Sequence, residues 1–405
     1  MKVLQINTVY ENGGSTGRIV ADLVDEQRSS SIEPFVAYGY GRAVSPDEAS
    51  YVYRITSDLE LFVSKVRTKL FGRHGFDNKS ETRKLLKWID EVNPDIIHLH
   101  NIHNHYVNIE LLLNYIADKN IPTVLTMHDC WTFTGWCAYF DYPRCDKWIE
   151  GCHDCRCLNK YPRTWFRDMS RKNYQDKKRL FDKIDMTIVT PSQWLADLVA
   201  RSFLKKNRVE VINNGTDLTK FYPQTSDIRQ KLGIETSKHV MLGMAFNFES
   251  RKGINYLFRL NELDRKDWQL VLVGVPAAMM KRVPAGIIAI AQTSDVDYLR
   301  RLYSMADVFV NPTFEDNFPT TNIEALACGT PVVTFRTGGS IEAVDDETGV
   351  VVEQGNFGGL VDAIDSLLAK DRSLLKTACR RRAEFLYDKH KQFGKYITLY
   401  KNILK

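Results

Sequence analysis

The sequence predicts an α/β protein made of two doubly wound, Rossmann-like domains facing a central cleft. Three observations lead there. Short apolar strands alternate with polar or amphipathic helical stretches along nearly the whole chain, the pattern of parallel sheets covered by helices on both faces. The pattern resets once, at a polar connector. A length of 405 residues exceeds what one ordinary core organises.

The first series places strands at 3–6, 35–38, 96–99, 123–126, 187–189 and 209–212, with helical stretches such as 82–92 and 109–118 between them. The connector 214–237 carries Pro223 and leads to a second series, with strands at 240–245, 269–273, 287–290, 307–310, 331–334 and 350–352. The expected domains are 1–213, with a Cys-rich insertion at 130–157, and 214–385. Beyond residue 370 the chain is helical and basic. Phe393, Tyr396, Ile397 and Tyr400 fall at helical spacing, so 386–405 has one apolar face, expected to pack back on the N-terminal domain.

Composition excludes several classes. With 44% apolar and 26% charged residues the chain reads as soluble and globular, and its apolar runs are too short to cross a bilayer. The opening MKVLQIN enters directly as a strand, without a signal-peptide pattern, so a cytoplasmic location is expected. A net charge of +5, spread rather than clustered, suits acidic substrates or an anionic membrane surface and argues against nucleic acid. Residues 59–75 mix Leu61, Phe62, Val66, Leu70 and Phe71 with Lys65, Arg67, Lys69 and Arg73. Such a basic amphipathic helix either packs on a core or lies on anionic lipid, as a peripheral contact with the inner membrane.

The stretch 311–333 organises the chemistry. It runs from an apolar strand through a turn bearing Glu315 and Pro319 into a helix carrying Glu324, and leaves at Gly329 toward a new strand. A helix start above the carboxyl edge of a sheet presents backbone N–H groups to an anion, typically phosphate. Gly13 and Gly14 follow the first strand and allow close backbone approach to a ligand. Their spacing is not that of a dinucleotide fingerprint. His98 and His100 close the third strand, with His103 and His105 beyond, and His128 and Asp129 close the next. Polar strand ends of this kind pave a binding crevice, with His98 and His100 expected to contact hydroxyls or phosphate. Arg251 and Lys252 open a helix and can neutralise a leaving diphosphate. Six of the eight cysteines stand in the insertion; among Cys137, Cys145, Cys152 and Cys155, only the last two have CxxC spacing. A structural zinc on those four thiolates, free core thiols and disulfides all remain open.

Taken together, GGS at 13–15, HLHN at 98–101, HD at 128–129, TPSQWL at 190–195, INNGTDLTKFYP at 212–223, RKG at 251–253, LYSMADVFVNP at 302–312 and EALACGTPVV at 324–333 resemble retaining glycosyltransferases of family 4, which have the GT-B fold. The HDCWTFTG segment resembles a subgroup of bacterial exopolysaccharide and capsule (colanic-acid-type) enzymes. The resemblance implies a retaining hexosyltransferase that moves a hexose or N-acetylhexosamine from a UDP- or GDP-sugar to a lipid-linked or polysaccharide acceptor. It implies no metal or other cofactor in the chemistry. By the same resemblance, Glu324 binds the ribose, Glu315 with the N–H groups of Asn317 and Phe318 holds the donor sugar, Arg251 and Lys252 face the diphosphate, Gly14 approaches it, and His128 contacts the sugar. Two departures stand out. Asp316-Asn317-Phe318-Pro319 replaces the usual Gly-Phe-Gly turn and leaves Asp316 as an alternative to Glu315. The usual Arg is missing near Asn247, where Arg251 beside Lys252 can substitute. The alternatives are a nucleotide-sugar epimerase or hydrolase on the same fold, which needs no acceptor, and a binding module with a decayed site.

Overall fold

The computed structural model describes residues 1–11, 14–263 and 265–405, and separates into two compact units, 1–213 with 393–405, and 214–392. The first unit holds a seven-stranded sheet: β1 (Lys2–Asn7), β2 (Glu33–Tyr38), β3 (Val52–Arg54), β4 (Ile96–Leu99), β5 (Thr123–Thr126), β6 (Met186–Thr190) and β7 (Arg208–Val211). They pair in parallel in the order β3-β2-β1-β4-β5-β6-β7. The alternation had not indicated β3. It is a three-residue edge strand at the end of a turn-rich segment, too short to show a period.

The second unit holds a six-stranded sheet: β8 (His239–Met244), β9 (Trp268–Val273), β10 (Ile288–Ile290), β11 (Val308–Asn311), β12 (Val332–Phe335) and β13 (Gly349–Val352). Its order is β10-β9-β8-β11-β12-β13, again all parallel. Both central pairs are buried on two faces, which is why β4, β8 and β11 read as near-continuous apolar runs. Helices cover each sheet from both sides. In the second unit one layer packs Leu242, Phe309 and Val332 with Leu302, Ile323 and Leu326, and the other packs Met241, Val310 and Val333 with Leu257 and Ile364.

The order of strands locates the switch points. In the first sheet the chain turns from β2-β1 outward to β4 on the other side, and in the second from β9-β8 to β11. Crevices outside the carboxyl ends of such strand pairs are where open α/β sheets bind ligands. Phe393, Tyr396, Ile397 and Tyr400, on the helix Lys389–Ile403, are buried with Val3, Ile19, Ile96, Val124 and Val189 of the first unit. Burial of the whole apolar stripe offsets the entropy lost in fixing those side chains.

Candidate active site

In the second unit the loops after β8 and β11 are stitched together. The β8 loop ends in a single 3-10 turn, Ser250–Lys252, and the helix proper begins only at Ile254. Gly253 joins them at φ +71, and a Cβ there would sit 2.0 Å from the Pro312 carbonyl oxygen, so only glycine lets the two loops approach. Across that contact the Phe314 N–H donates to the Arg251 carbonyl at 2.7 Å, and Arg251 Nη1 donates to the Glu315 carbonyl at 3.3 Å. Lys252 Nζ pairs with the Asp316 carboxylate. Asp316 is engaged by Lys252, and Glu315, on the same turn, is 5% exposed.

Pro319 stands at the N-cap of the helix Thr320–Ala327, one position before the first turn. Glu324 lies inside that helix, is 5% exposed, and accepts a hydrogen bond from Tyr303 Oη at 2.9 Å. A buried carboxylate needs such donors to remain charged. Asn317 and Phe318 are buried, and the Phe318 carbonyl accepts from Asn214 Nδ2 at 3.1 Å. Beneath the turn runs a polar network that the sequence did not reveal. Asn311 Nδ2 donates to Asn322 Oδ1 at 2.8 Å, Asn322 Nδ2 donates to Ser340 Oγ at 3.1 Å, and the Ser340 and Thr334 hydroxyls lie 2.8 Å apart. It fixes the helix start against the Gly338–Ala343 turn. Its residues sit on two strands, a helix and a turn, so no local pattern marks them.

In the first unit the ends of β1, β4 and β5 are neighbours. Gly14 caps the helix Ser15–Ser29 with φ +123, and open space surrounds the position of a Cβ. Gly13 lies outside the described residues. His128 is the partly exposed member of a histidine line. Its Nε2 lies 3.0 Å from His100 Nδ1, with the two rings stacked. Burial pushes His128 down to about 4, against the opposing charge of Asp129. His98 and His100 do share one side of the sheet, with ring centroids 4.1 Å apart. They do not pave a crevice, however. Both are buried, and burial drives both well below the ordinary histidine range. Their partners are Gln5, Thr126 and Tyr400 rather than solvent. Alternation fixes the face a side chain takes but not what covers that face.

Asp129 Oδ2 lies 3.0 Å from His103 Nε2 and its Oδ1 accepts from the Trp131 N–H, and despite burial the nearby His103 ring holds it below the ordinary carboxylate range. His74 sits within a cage formed by the rings of His103, His105, Trp131 and Tyr161.

For Cys137, Cys145, Cys152 and Cys155, structural zinc, free thiols and disulfides stood as alternatives. All eight cysteines are free, and among the described residues no group of three or more His, Cys, Asp or Glu side chains is arranged to hold a metal ion. The hub is instead Cys157, whose thiol is held low by hydrogen bonds from Cys137 and Cys155, while those two are pushed up. Cys152 Sγ is turned elsewhere and accepts from the Gly135 N–H at 3.0 Å.

The basic amphipathic segment forms the helix Asp58–Phe71. Phe62 (64% exposed) and Phe71 project from it, and Trp165 and Phe166 continue the patch. Lys69 lies over the Trp165 ring and Arg167 over Phe71. Among the described residues no helix is long and apolar enough to cross a membrane.

Comparison with known proteins defines the class. Residues 16–220 match the model of Glycosyltransferase Family 4, and 239–370 match Glycosyl transferases group 1. The chain belongs to glycosyltransferase family 4. Over the full length of both proteins it is 23% identical to the putative colanic acid biosynthesis glycosyl transferase WcaC of Escherichia coli. It is 24% identical to the capsular polysaccharide biosynthesis glycosyltransferase CapM of Staphylococcus aureus, over 51% of this chain and 59% of that one. Sucrose-phosphate synthase from Thermosynechococcus elongatus superposes with a TM-score of 0.72 at 18% identity, over 100% and 99% of the two chains. Anabaena Alr3699/HepE in complex with UDP superposes with a TM-score of 0.70 at 15% identity, over 99% and 100%. These likenesses show the GT-B fold, and the family makes the protein a glycosyltransferase with homologues in polysaccharide biosynthesis.

Proposed function

We propose that the protein is a retaining, metal-independent hexosyltransferase that moves a hexose or N-acetylhexosamine from UDP- or GDP-sugar to a lipid-linked oligosaccharide or polysaccharide. The observation that carries this reading is the buried Glu324 carboxylate, held by Tyr303 in the middle of the helix Thr320–Ala327 that follows the switch point of the second sheet. A buried carboxylate held in place by a tyrosine hydroxyl suits the paired hydroxyls of a ribose. Lys252 and Arg251, tied to the turn after β11, are the cations for a departing diphosphate. Glu315, with the backbone of Asn317 and Phe318, holds the donor sugar, Gly14 leaves room for the diphosphate, and His128 meets the sugar near its reacting carbon. The leaving phosphate takes the acceptor's proton on the face it departs from, so configuration is retained without a covalent nucleophile. Catalysis is then positioning and charge stabilisation. That Alr3699/HepE was crystallised with UDP and with UDP-glucose, and that WcaC is named for colanic acid biosynthesis and CapM for capsular polysaccharide biosynthesis, supports the donor and acceptor classes. The exposed patch of Phe62, Phe71, Trp165 and Phe166 with its lysines and arginines suits peripheral contact with anionic lipid on the cytoplasmic face, where a lipid-linked acceptor would be met.

Calorimetry with UDP and GDP tests the reading. One nucleotide should bind, and Glu324→Ala should weaken it by roughly 10- to 100-fold, the worth of hydrogen bonds to a charged group. An unchanged affinity would remove Glu324 from the ribose site. Incubating the donor alone distinguishes a transferase, which is nearly idle without acceptor, from a hydrolase or epimerase.

A further inference from the structure

His128 is joined to the helix Lys389–Ile403 by an unbroken line of hydrogen bonds. From His128 Nε2 the line passes to His100 Nδ1 at 3.0 Å, and His100 Nε2 meets Gln5 Oε1 at 2.8 Å. Gln5 Nε2 donates to Tyr400 Oη at 3.3 Å, and that hydroxyl lies 2.6 Å from His98 Nδ1. His98 Nε2 then meets Thr126 Oγ1 at 2.8 Å. Gln5, His98 and Tyr400 have no exposed surface, and His100 is 2% exposed. A broken link so deep is not repaired by bulk water.

Counting donors and acceptors fixes the protons. A neutral imidazole offers one donor and one acceptor, and an amide oxygen only accepts. Gln5 Oε1 therefore takes a proton from His100 Nε2. His100 Nδ1 is then the acceptor, so His128 donates from Nε2 and keeps a lone pair on Nδ1. On the other branch Tyr400 accepts from Gln5 and gives its own proton to His98 Nδ1, leaving His98 Nε2–H for Thr126. Turning the Gln5 amide over would reverse every bond in the line and move the His128 proton to Nδ1. The amide is the selector, and Tyr400 is the group that holds it.

We propose that Gln5, held by Tyr400, is a positioning residue that fixes the tautomer of His128, so that its ring offers Nδ1 as a hydrogen-bond acceptor to a substrate hydroxyl. The inference rests on the proposed role of His128 at the donor sugar and deepens it. It makes the partner of Nδ1 a hydroxyl group rather than a phosphate oxygen, since an acceptor nitrogen repels an anion.

The test reads the ring nitrogens directly. The full chain, labelled with nitrogen-15 in histidine and free of ligand, is examined by NMR near pH 7.5, with the His128 signals assigned by their loss in His128→Gln. The wild-type chain should show His128 as a single Nε2–H tautomer. Tyr400→Phe frees the Gln5 amide and should give a mixture of both tautomers, with at least a tenfold rise in the Nδ1–H form. Gln5→Met should do the same, and if either variant fails to fold the other serves. Gln5→Glu, which can only accept, should keep the Nε2–H form, a rescue that a merely structural role for Gln5 does not predict. A wild-type His128 protonated on Nδ1, or a tautomer unmoved by both Tyr400→Phe and Gln5→Met, would overturn the proposal. Because no donor is present, these outcomes are independent of the sugar-binding role of His128. That role fails separately, if His128→Gln turns over the nucleotide sugar at the wild-type rate.

Discussion

The two units bury polar groups in opposite ways. Beneath the first sheet's carboxyl edge, beside the Asp129–His103 pair, three histidines, a glutamine, a threonine and a tyrosine form one neutral hydrogen-bonded line. At the corresponding edge of the second sheet, above the neutral Asn311–Asn322–Ser340–Thr334 network, charged groups dominate: Lys252 with Asp316, Arg251 with the Glu315 carbonyl, and Glu324 with Tyr303. The same architecture thus carries two electrostatic designs. A neutral network sets directions, since each bond dictates the next. A charged one sets potential, which a departing diphosphate needs.

The comparison can be pressed at three points. The largest effect is expected at Gly253, where φ is +71 and a Cβ would meet the Pro312 oxygen at 2.0 Å. Gly253→Ala should cost about 2–4 kcal/mol and loosen the loops that hold Lys252 to Asp316. A separate, lower melting transition for the second unit in calorimetry would sharpen the contrast, and an unchanged trace would show that the two loops yield easily. Next is Lys252→Ala. Leaving-group charge grows toward the transition state, so turnover should fall by roughly 100-fold while donor affinity changes by less than about tenfold. Equal losses in steady-state turnover and in calorimetric affinity would make Lys252 a binding residue only.

The smallest effect is one of pH. Burial keeps His98, His100 and His128 neutral in the folded chain, with His128 held down to about 4, whereas histidine in an unfolded chain titrates near 6.5. The stability they contribute is complete above about pH 6.5. It is lost as pH falls from there toward 4, because the unfolded chain takes up protons that the folded chain refuses. The melting temperature should therefore drop by several degrees across that window. A flat profile would mean that the histidine line accepts protons while folded, and the contrast between the units would collapse.

Much of this was legible in the sequence because its causes are local. The strand periods, the Gly329 punctuation and the two acids of the 311–333 stretch are read within one element and its turn. The connector near 214 was equally plain, as a run of polar residues between two apolar series. What escaped depends on elements distant in the chain. His98 and His100 looked like crevice residues because nothing nearby indicates that Tyr400 and Gln5 cover them. The Asn311–Asn322–Ser340–Thr334 network joins a helix, two strands and a turn. Cys157 became the thiol hub although CxxC spacing pointed to Cys152 and Cys155. The edge strand β3 was missed for a different reason, its brevity.

The bond between Gln5 and Tyr400 spans 395 positions, and this has a consequence for biogenesis. A ribosome delivers β1 first, and domains generally fold as they emerge. Here the first unit cannot reach its final form until residues 393–405 have left the exit tunnel. Until then Val3, Ile96 and Val124 lack the apolar cover of Phe393, Tyr396, Ile397 and Tyr400. The nascent first unit therefore waits, partly open, through the synthesis of the whole second unit. Truncating the chain after Gln392 would keep His128, Lys252, Glu315 and Glu324 but remove Tyr400 and the apolar cover around it, and would yield a first unit that never closes.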